Sequence, residues 1–346
     1  MNLIGEHLDY NGGRCLPIAL PQRTTARIRR TDDERVTVRS GDLTWSGAVG
    51  ERAEGWASYV VGVLWALEVT DALAIEISSE VPVGAGLSSS AALECSVATA
   101  VDALLDLGLT PDDLAEACIR AETEHVGAPT GGLDQTTAMH ARDGEALLID
   151  FGDGTRRSVA FDPAAAGLAL LVVDTRVSHA LVDGGFAARR ADCEQASGIL
   201  QVDTLCEVAD PVSALTALAD AQVRRRARHV FSEQQRVTEF VTALQLGDWA
   251  EAGALMTSSH ESLRDDYEVS CAELDSVVAS ALDAGALGAR MTGGGFGGSA
   301  IVLADTGLVP AIRRAVDTTF ASSGWGSPAC LDARASAGAR VEDRRC

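Results

Sequence analysis

The stretch Pro82-Val-Gly-Ala-Gly-Leu-Ser-Ser-Ser-Ala-Ala-Leu-Glu94 decides the fold. Its glycines free backbone N–H groups to approach an anion closely, and the apolar run that follows predicts a helix whose positive N-terminal end points to the same place. Three consecutive serines add hydroxyls for phosphate or metal. A plain glycine turn with a serine cap would need only one glycine and one serine; the full string predicts a phosphate loop. No lysine occurs anywhere in the chain, so all 28 basic residues are arginine. A Walker-type loop with its phosphate lysine is therefore excluded, and so is Schiff-base chemistry on a lysine. Phosphate must be gripped by main-chain amides, hydroxyls, arginine or metal.

Three further strings carry candidate chemistry. Asn2-Leu-Ile-Gly-Glu-His-Leu-Asp-Tyr-Asn-Gly-Gly13 crowds Glu6, His7 and Asp9 before a turn signal, a set suited to a polyhydroxylated ligand or to an acidic surface loop. Ala121-Glu-Thr-Glu-His-Val-Gly-Ala-Pro-Thr-Gly-Gly-Leu-Asp-Gln135 offers Glu122 as an oxygen ligand for a hard cation. In the same string Asp134, expected in a glycine-flanked turn, is a candidate proton acceptor. Gly288-Ala-Arg-Met-Thr-Gly-Gly-Gly-Phe-Gly-Gly298 implies very close backbone approach, either to a ligand or to another loop.

The 346 residues suggest two domains at about 150 residues each. The formal net charge of -22 and the lack of a basic stripe argue against nucleic-acid binding. The one basic cluster, Arg224–Arg226 with Arg228, reads as a helix face. Eight scattered cysteines form no C-x-x-C pair; Cys95 and Cys118 are expected to pack as small core residues. That usage fits a reducing cytoplasm. Glu6, His7 and Asp9 are unlike a signal peptide, and the longest uncharged apolar run, near Ala164–Val173, is too short for a membrane span.

Alternation predicts strands within Arg23–Ser46 and Ala72–Ser78, and Gly144–Phe151, Leu168–Val173 and Ser299–Leu303 also read as strands. Helical spacing appears in Trp56–Val69, Ser88–Leu107, Pro111–Glu124 with Thr110 as N-cap, Pro310–Ala321, and most of Asp183–Gly285. Strands and helices mix without strict alternation, which predicts an α+β protein.

Together these strings resemble the galactokinases of the GHMP kinase family. Further matches are Pro21-Gln-Arg-Thr24, Trp56-Ala-Ser-Tyr59, Asp174-Thr-Arg-Val-Ser-His179, His260-Glu-Ser-Leu-Arg-Asp-Asp-Tyr267 and Glu273-Leu-Asp275, so the similarity runs nearly end to end. The resemblance implies a two-domain GHMP kinase fold. A ribosomal-protein-S5-domain-2-like N-terminal domain (1–165) would carry the sugar signature and phosphate loop, with a ferredoxin-like C-terminal domain (166–346) and the active site in the cleft. It implies that Glu6, His7, Asp9, Gly131 and Phe186 bind the sugar. Gly84, Ala85, Gly86, Leu87, Ser88, Ser89 and Ser90 would wrap the ATP phosphates, with Trp56 against the adenine. Ser90 and Glu122 would ligate Mg²⁺, and Asp134 would be the catalytic base. The implied reaction is ATP-dependent phosphorylation of the anomeric hydroxyl of galactose by a cytoplasmic monomer, with no nucleic-acid or membrane partner. A kinase for N-acetylgalactosamine or arabinose, or a non-catalytic sugar and ATP sensor, are the alternatives.

Three departures from the family pattern stand out. The family signature is preceded by Gly-Arg-Val, and Met1 falls where that valine would stand. The arginine beside the transferring phosphate and the first strand have no counterpart, which suggests a gene start placed too far downstream, a GTG valine codon being read as initiator methionine. Phe186 stands where the family has a sugar-contacting tyrosine. Ser299 replaces a common cysteine, a change expected to carry no functional weight.

Overall fold

A computed structural model of the chain describes residues 1–128, 130–178 and 182–342. His179 of the quoted motif and Cys346 lie outside the described residues. Contacts group the chain into two units that are discontinuous in sequence. One comprises Met1–Ile18, Val83–Leu87 and Gly144–Ala335; the other comprises Ala19–Pro82, Ser88–Asp143 and Ser336–Cys346. This grouping runs along other lines than a single cut at 165/166. Part of the reason is local: Arg14–Cys15 pairs antiparallel with Ile149 and Asp150, which ties the N-terminal segment to the strand Glu145–Asp150.

The second unit holds a four-stranded sheet in the order Thr24–Arg30, Leu73–Ser79, Arg35–Ser40, Leu43–Ala48. Only the pairing of Arg35–Ser40 with Leu73–Ser79 is parallel. The buried face of the strand Leu73–Ser79 (Leu73, Ile75, Ile77) packs in one core cluster with residues of three helices, Ala57–Ala66, Ser89–Leu105 and Pro111–Arg120. Burying each such side chain stabilises the fold by roughly 1.5–3 kcal/mol. Cys95 and Cys118 lie in this core, as small hydrophobes do. Thr110 caps the helix Pro111–Arg120 through a reciprocal box with Asp113, closing two of its free N-terminal donors. Asp134 stands in the first turn of a short helix, Leu133–His140, rather than in an open turn. Gly132 starts that helix with φ 85°, where a Cβ would lie 2.6 Å from Ile119.

The first unit holds an antiparallel sheet in the order Ala329–Ala333, Leu168–Ser178, Gly297–Asp305, Gly288–Thr292. A three-stranded sheet, Arg14–Cys15, Glu145–Asp150, Arg156–Ala160, completes its strands. The expected helical region resolves into Val182–Leu200, Pro211–Ala217, Ala221–Leu246, Trp249–Asp265 and Ala272–Asp283. The arginine cluster lies on Ala221–Leu246; Arg224 donates to the Leu218 carbonyl at 2.8 Å and the other three arginines form ion pairs. Arg226, 1% exposed, meets Asp192 and Glu268, Arg225 meets Glu268, and Arg228 meets Asp266. Among the described residues no helix is long and apolar enough to cross a membrane.

Candidate active site

In the first unit, the signature segment folds inward instead of forming a surface loop. Glu6 is 3% exposed and accepts four hydrogen bonds. Asn2 Nδ2 (2.7 Å) and Arg290 Nη2 (2.6 Å) bond Oε2, while Thr292 Oγ1 (3.1 Å) and the Gly293 amide (3.0 Å) bond Oε1. Arg290, fully buried, also donates to the Leu3 carbonyl at 2.8 Å. A carboxylate has about four lone-pair sites, so the Glu6 side chain is saturated by protein donors. Burial pushes its carboxyl above the ordinary range, against the pull of Arg290. Beneath it Glu233, also buried, accepts from the Gly5 amide, Ser259 and Arg236; burial opposes its charge, but Arg236, His229 and Arg290 outweigh it and hold the carboxyl at about 2.

His7 is held in a left-handed conformation (φ 65°), uncommon outside glycine. Its Nδ1 lies 2.9 Å from the Tyr10 hydroxyl, and its buried Nε2 has no partner among the described residues. Burial, then the nearby His229, Arg189 and Arg290, lower its pKa to about 3, so the imidazole is neutral at working pH. The ring stacks at 4.6 Å on Tyr267 and at 5.6 Å on Phe186, which is also 5.6 Å from Tyr10. Asp9 is half-buried in the one-turn helix Asp9–Asn11.

The phosphate-loop residues of this unit rest on the second glycine string. Ala85 and Leu87 are buried, whereas Gly84 (φ 82°) and Gly86 (φ 69°) face outward. A Cβ on Gly293 would lie 3.2 Å from the Gly86 carbonyl, and one on Gly298 would lie 3.3 Å from the Ala85 carbonyl. The close approach implied by Gly293–Gly298 is therefore made to another loop. Ser299 Oγ donates to the Ala85 carbonyl at 2.6 Å, so the residue expected to carry no weight anchors this loop.

In the second unit, Ser88 opens the helix Ser89–Leu105 in a left-handed conformation (φ 61°) and makes no side-chain cap. A serine N-cap does not explain the triplet. Ser90 hydrogen-bonds Glu122, which is 9% exposed and lies on the π-helical turn Ala121–Val126. The Gln135 amide donates to Glu94 Oε2 at 3.1 Å and to Glu122 Oε2. Burial, reinforced by Glu122, raises the Glu94 carboxyl to about 9, and burial raises that of Glu122 as well. The charge of half-buried Asp134 acts on both. Ser90 and Glu122 thus meet through a hydrogen bond, and the charge of Asp134 reaches Glu122. Gly131 is half-buried two positions before Leu133, the first residue of the Asp134 helix. Trp56 packs partly against the core cluster at the head of the helix Ala57–Ala66. Glu94 and Gln135 were not singled out individually in the sequence, and neither were Arg290, Thr292, Tyr10 or Tyr267. The one available signal for Glu94 was its place four positions after Ser90, on the same face of the helix Ser89–Leu105.

Comparison with known proteins places this geometry. Residues 58–142 match the GHMP kinases N-terminal domain and residues 240–322 the GHMP kinases C-terminal domain. Residues 1–30 match the galactokinase galactose-binding signature. Mevalonate kinase from L. major shares the fold, with a TM-score of 0.68 at 22% identity over 98% of this chain and 94% of that one. Fold and domain matches define a GHMP kinase, an α+β protein of two family domains. The galactokinase of Streptomyces coelicolor is 47% identical across 98% of this chain and 92% of its own length; that of Mycobacterium tuberculosis is 43% identical across 98% and 96%. The structure of Lactococcus lactis galactokinase complexed with galactose matches with a TM-score of 0.93 at 30% identity, covering 97% of this chain and 92% of that one. The chain belongs to the galactokinase family, and as such it is a carbohydrate kinase that uses ATP.

Proposed function

We propose that the chain transfers the γ-phosphoryl group of ATP to the anomeric hydroxyl of α-D-galactose, giving galactose 1-phosphate and ADP. The observation that carries this is the galactose-binding signature at residues 1–30, folded as the buried Glu6–His7 segment in a chain so close to a galactose-bound galactokinase. Asp134 accepts the proton of the attacking hydroxyl. His7 and Asp9 contact the sugar, with Gly131 and Phe186 beside it; Glu6, saturated by Arg290 and its neighbours, holds the segment in shape. Main-chain amides of Gly84–Ser90 and the uncapped start of the helix Ser89–Leu105 grip the phosphates. Trp56 lies against the adenine.

Ser90 and Glu122 suit Mg²⁺: both present oxygen, they already meet through a hydrogen bond, and hard cations take oxygen ligands. Among the described residues no cluster of three or more His, Cys, Asp or Glu could hold a metal. A Mg²⁺ ion needs none, since it keeps waters and takes one or two protein oxygens plus substrate phosphates. Bound there, it would neutralise charge on the phosphates; the protein's own part is positioning and proton removal.

The same proposal keeps residues 1–165 and 166–346 as the family's two domains, the matches at 58–142 and 240–322 falling on either side of that boundary. It also keeps a monomer working in the cytoplasm. A coupled ADP-release assay on galactose, N-acetylgalactosamine and arabinose tests the assignment. Turnover dependent on galactose is expected; no ADP release with any sugar would refute it.

A further inference from the structure

Around His7 the first unit builds a chain of hydrogen bonds that the sugar signature alone does not account for. Asn11 Nδ2 donates to the His7 carbonyl at 2.7 Å, which helps hold the uncommon φ of 65°. From His7 Nδ1 the chain runs to the Tyr10 hydroxyl (2.9 Å), from there to the Tyr267 hydroxyl (2.8 Å), and on to Cys193 Sγ (3.1 Å). Tyr267, with no exposed surface, is clasped between the rings of His7 and His229, each 4.6 Å away. His229 is itself fixed by Ser262 at Nδ1 (2.9 Å) and by the Glu6 carbonyl at Nε2 (3.2 Å). Every ring in the stack is oriented, and of the four imidazole nitrogens of His7 and His229 only His7 Nε2 has no partner among the described residues.

The order of protons along this chain follows from chemistry. A phenolic O–H is a good donor and a poor acceptor, and a neutral imidazole nitrogen is a good acceptor. The stronger arrangement has Tyr10 O–H donating to Nδ1, Tyr267 O–H donating to Tyr10, and the thiol closing the far end as a weak donor. Each bond polarises the next. With Nδ1 occupied as an acceptor, the proton of the neutral ring must sit on Nε2.

We propose that Tyr10 and Tyr267 are positioning residues that fix His7 as the Nε2–H tautomer, so that His7 presents a hydrogen-bond donor to a hydroxyl oxygen of the sugar. This rests on the assignment of His7 to the sugar made above. It separates two things the side chain could offer: a donor recognises an oxygen lone pair, whereas a bare nitrogen would have needed the sugar's own proton.

The experiment combines kinetics and ¹⁵N NMR of histidine-labelled full-length protein, with His7→Gln used to assign the His7 signals. The parent should show the Nε2–H tautomer. Tyr10→Phe should give a mixed tautomer and raise galactose KM about tenfold, the worth of one oriented hydrogen bond, with ATP KM unchanged. Tyr267→Phe keeps the ring stack and should raise galactose KM about threefold. A parent in the Nδ1–H form overturns the proposal, as does a Tyr10→Phe variant with parental tautomer and parental galactose KM. A purely structural role would lower the melting temperature without moving the tautomer, which also counts against it. Parental galactose KM in His7→Gln would instead remove His7 from the sugar, and with it the assignment underneath.

Discussion

Glu6 and Phe186 show how neighbours decide what a side chain does. The crowding of Glu6, His7 and Asp9 was legible because all three lie within four positions of one another. That Glu6 is consumed by Arg290 and Thr292 was not, since those partners come from a strand more than 280 positions away. Glu6→Gln would leave the guanidinium of Arg290 buried without its charge partner, and breaking a buried pair on one side costs about 3–5 kcal/mol. A large fall in melting temperature is the expected outcome, and parental stability would show the pair to be dispensable. Phe186→Tyr should return a hydroxyl beside His7 and tighten galactose KM about two- to tenfold, the range of one net hydrogen bond. Unchanged KM and unchanged selectivity against other sugars would end that expectation. Asp134→Asn should lower kcat by about 10²–10⁴ while galactose still protects the protein against heat; near-parental kcat would exclude Asp134 as the base.

At the scale of elements, strands and helices with clean periodicity were readable, and short pieces were not. The helix Leu133–His140 hides behind three residues of glycine and threonine, and its starting glycine in a left-handed conformation looks like a loop. Arg156–Ala160 and Ala329–Ala333 take their place from the neighbours they pair with, at Glu145–Asp150 and Leu168–Ser178, more than from their own pattern. The glycine string was legible as a close approach, but not as a seam against Ala85 and Gly86. Gly298→Ala tests that seam. The new Cβ meets the Ala85 carbonyl at 3.3 Å in a backbone with φ 80°, so the loop must shift. ATP KM should rise about tenfold or more while galactose KM changes little, since a small misplacement of a positioning loop costs that much or more. An unaltered ATP KM would mean that the loop does not depend on the seam.

For the whole molecule, composition indicated a chain that buries proper cores but not which charges it buries. His7 and His229 have folded pKa values of about 3 and about 4, below the ordinary 6.5. The unfolded chain takes up their protons first, so stability falls as pH drops from 6.5 towards 3 to 4. Glu94 works in the opposite sense. Its folded value of about 9 lies above 4.5, so the unfolded chain releases the proton first and stability falls as pH rises from 4.5 towards 9. Melting temperature measured in a chelator should therefore peak between these limbs, at roughly pH 5–6.5. Glu94→Gln should flatten the alkaline limb, and a limb as steep as the parent's would show that Glu94 is not the group responsible. The seam of Ala85 and Gly86 against Gly293 and Gly298 has a consequence of another kind. Peptide atoms are the same whichever codons a genome favours. A loop supported by peptide atoms and one serine hydroxyl leaves the rest of the chain free to follow its genome's base composition, even to the loss of every lysine, without altering how the loop is held.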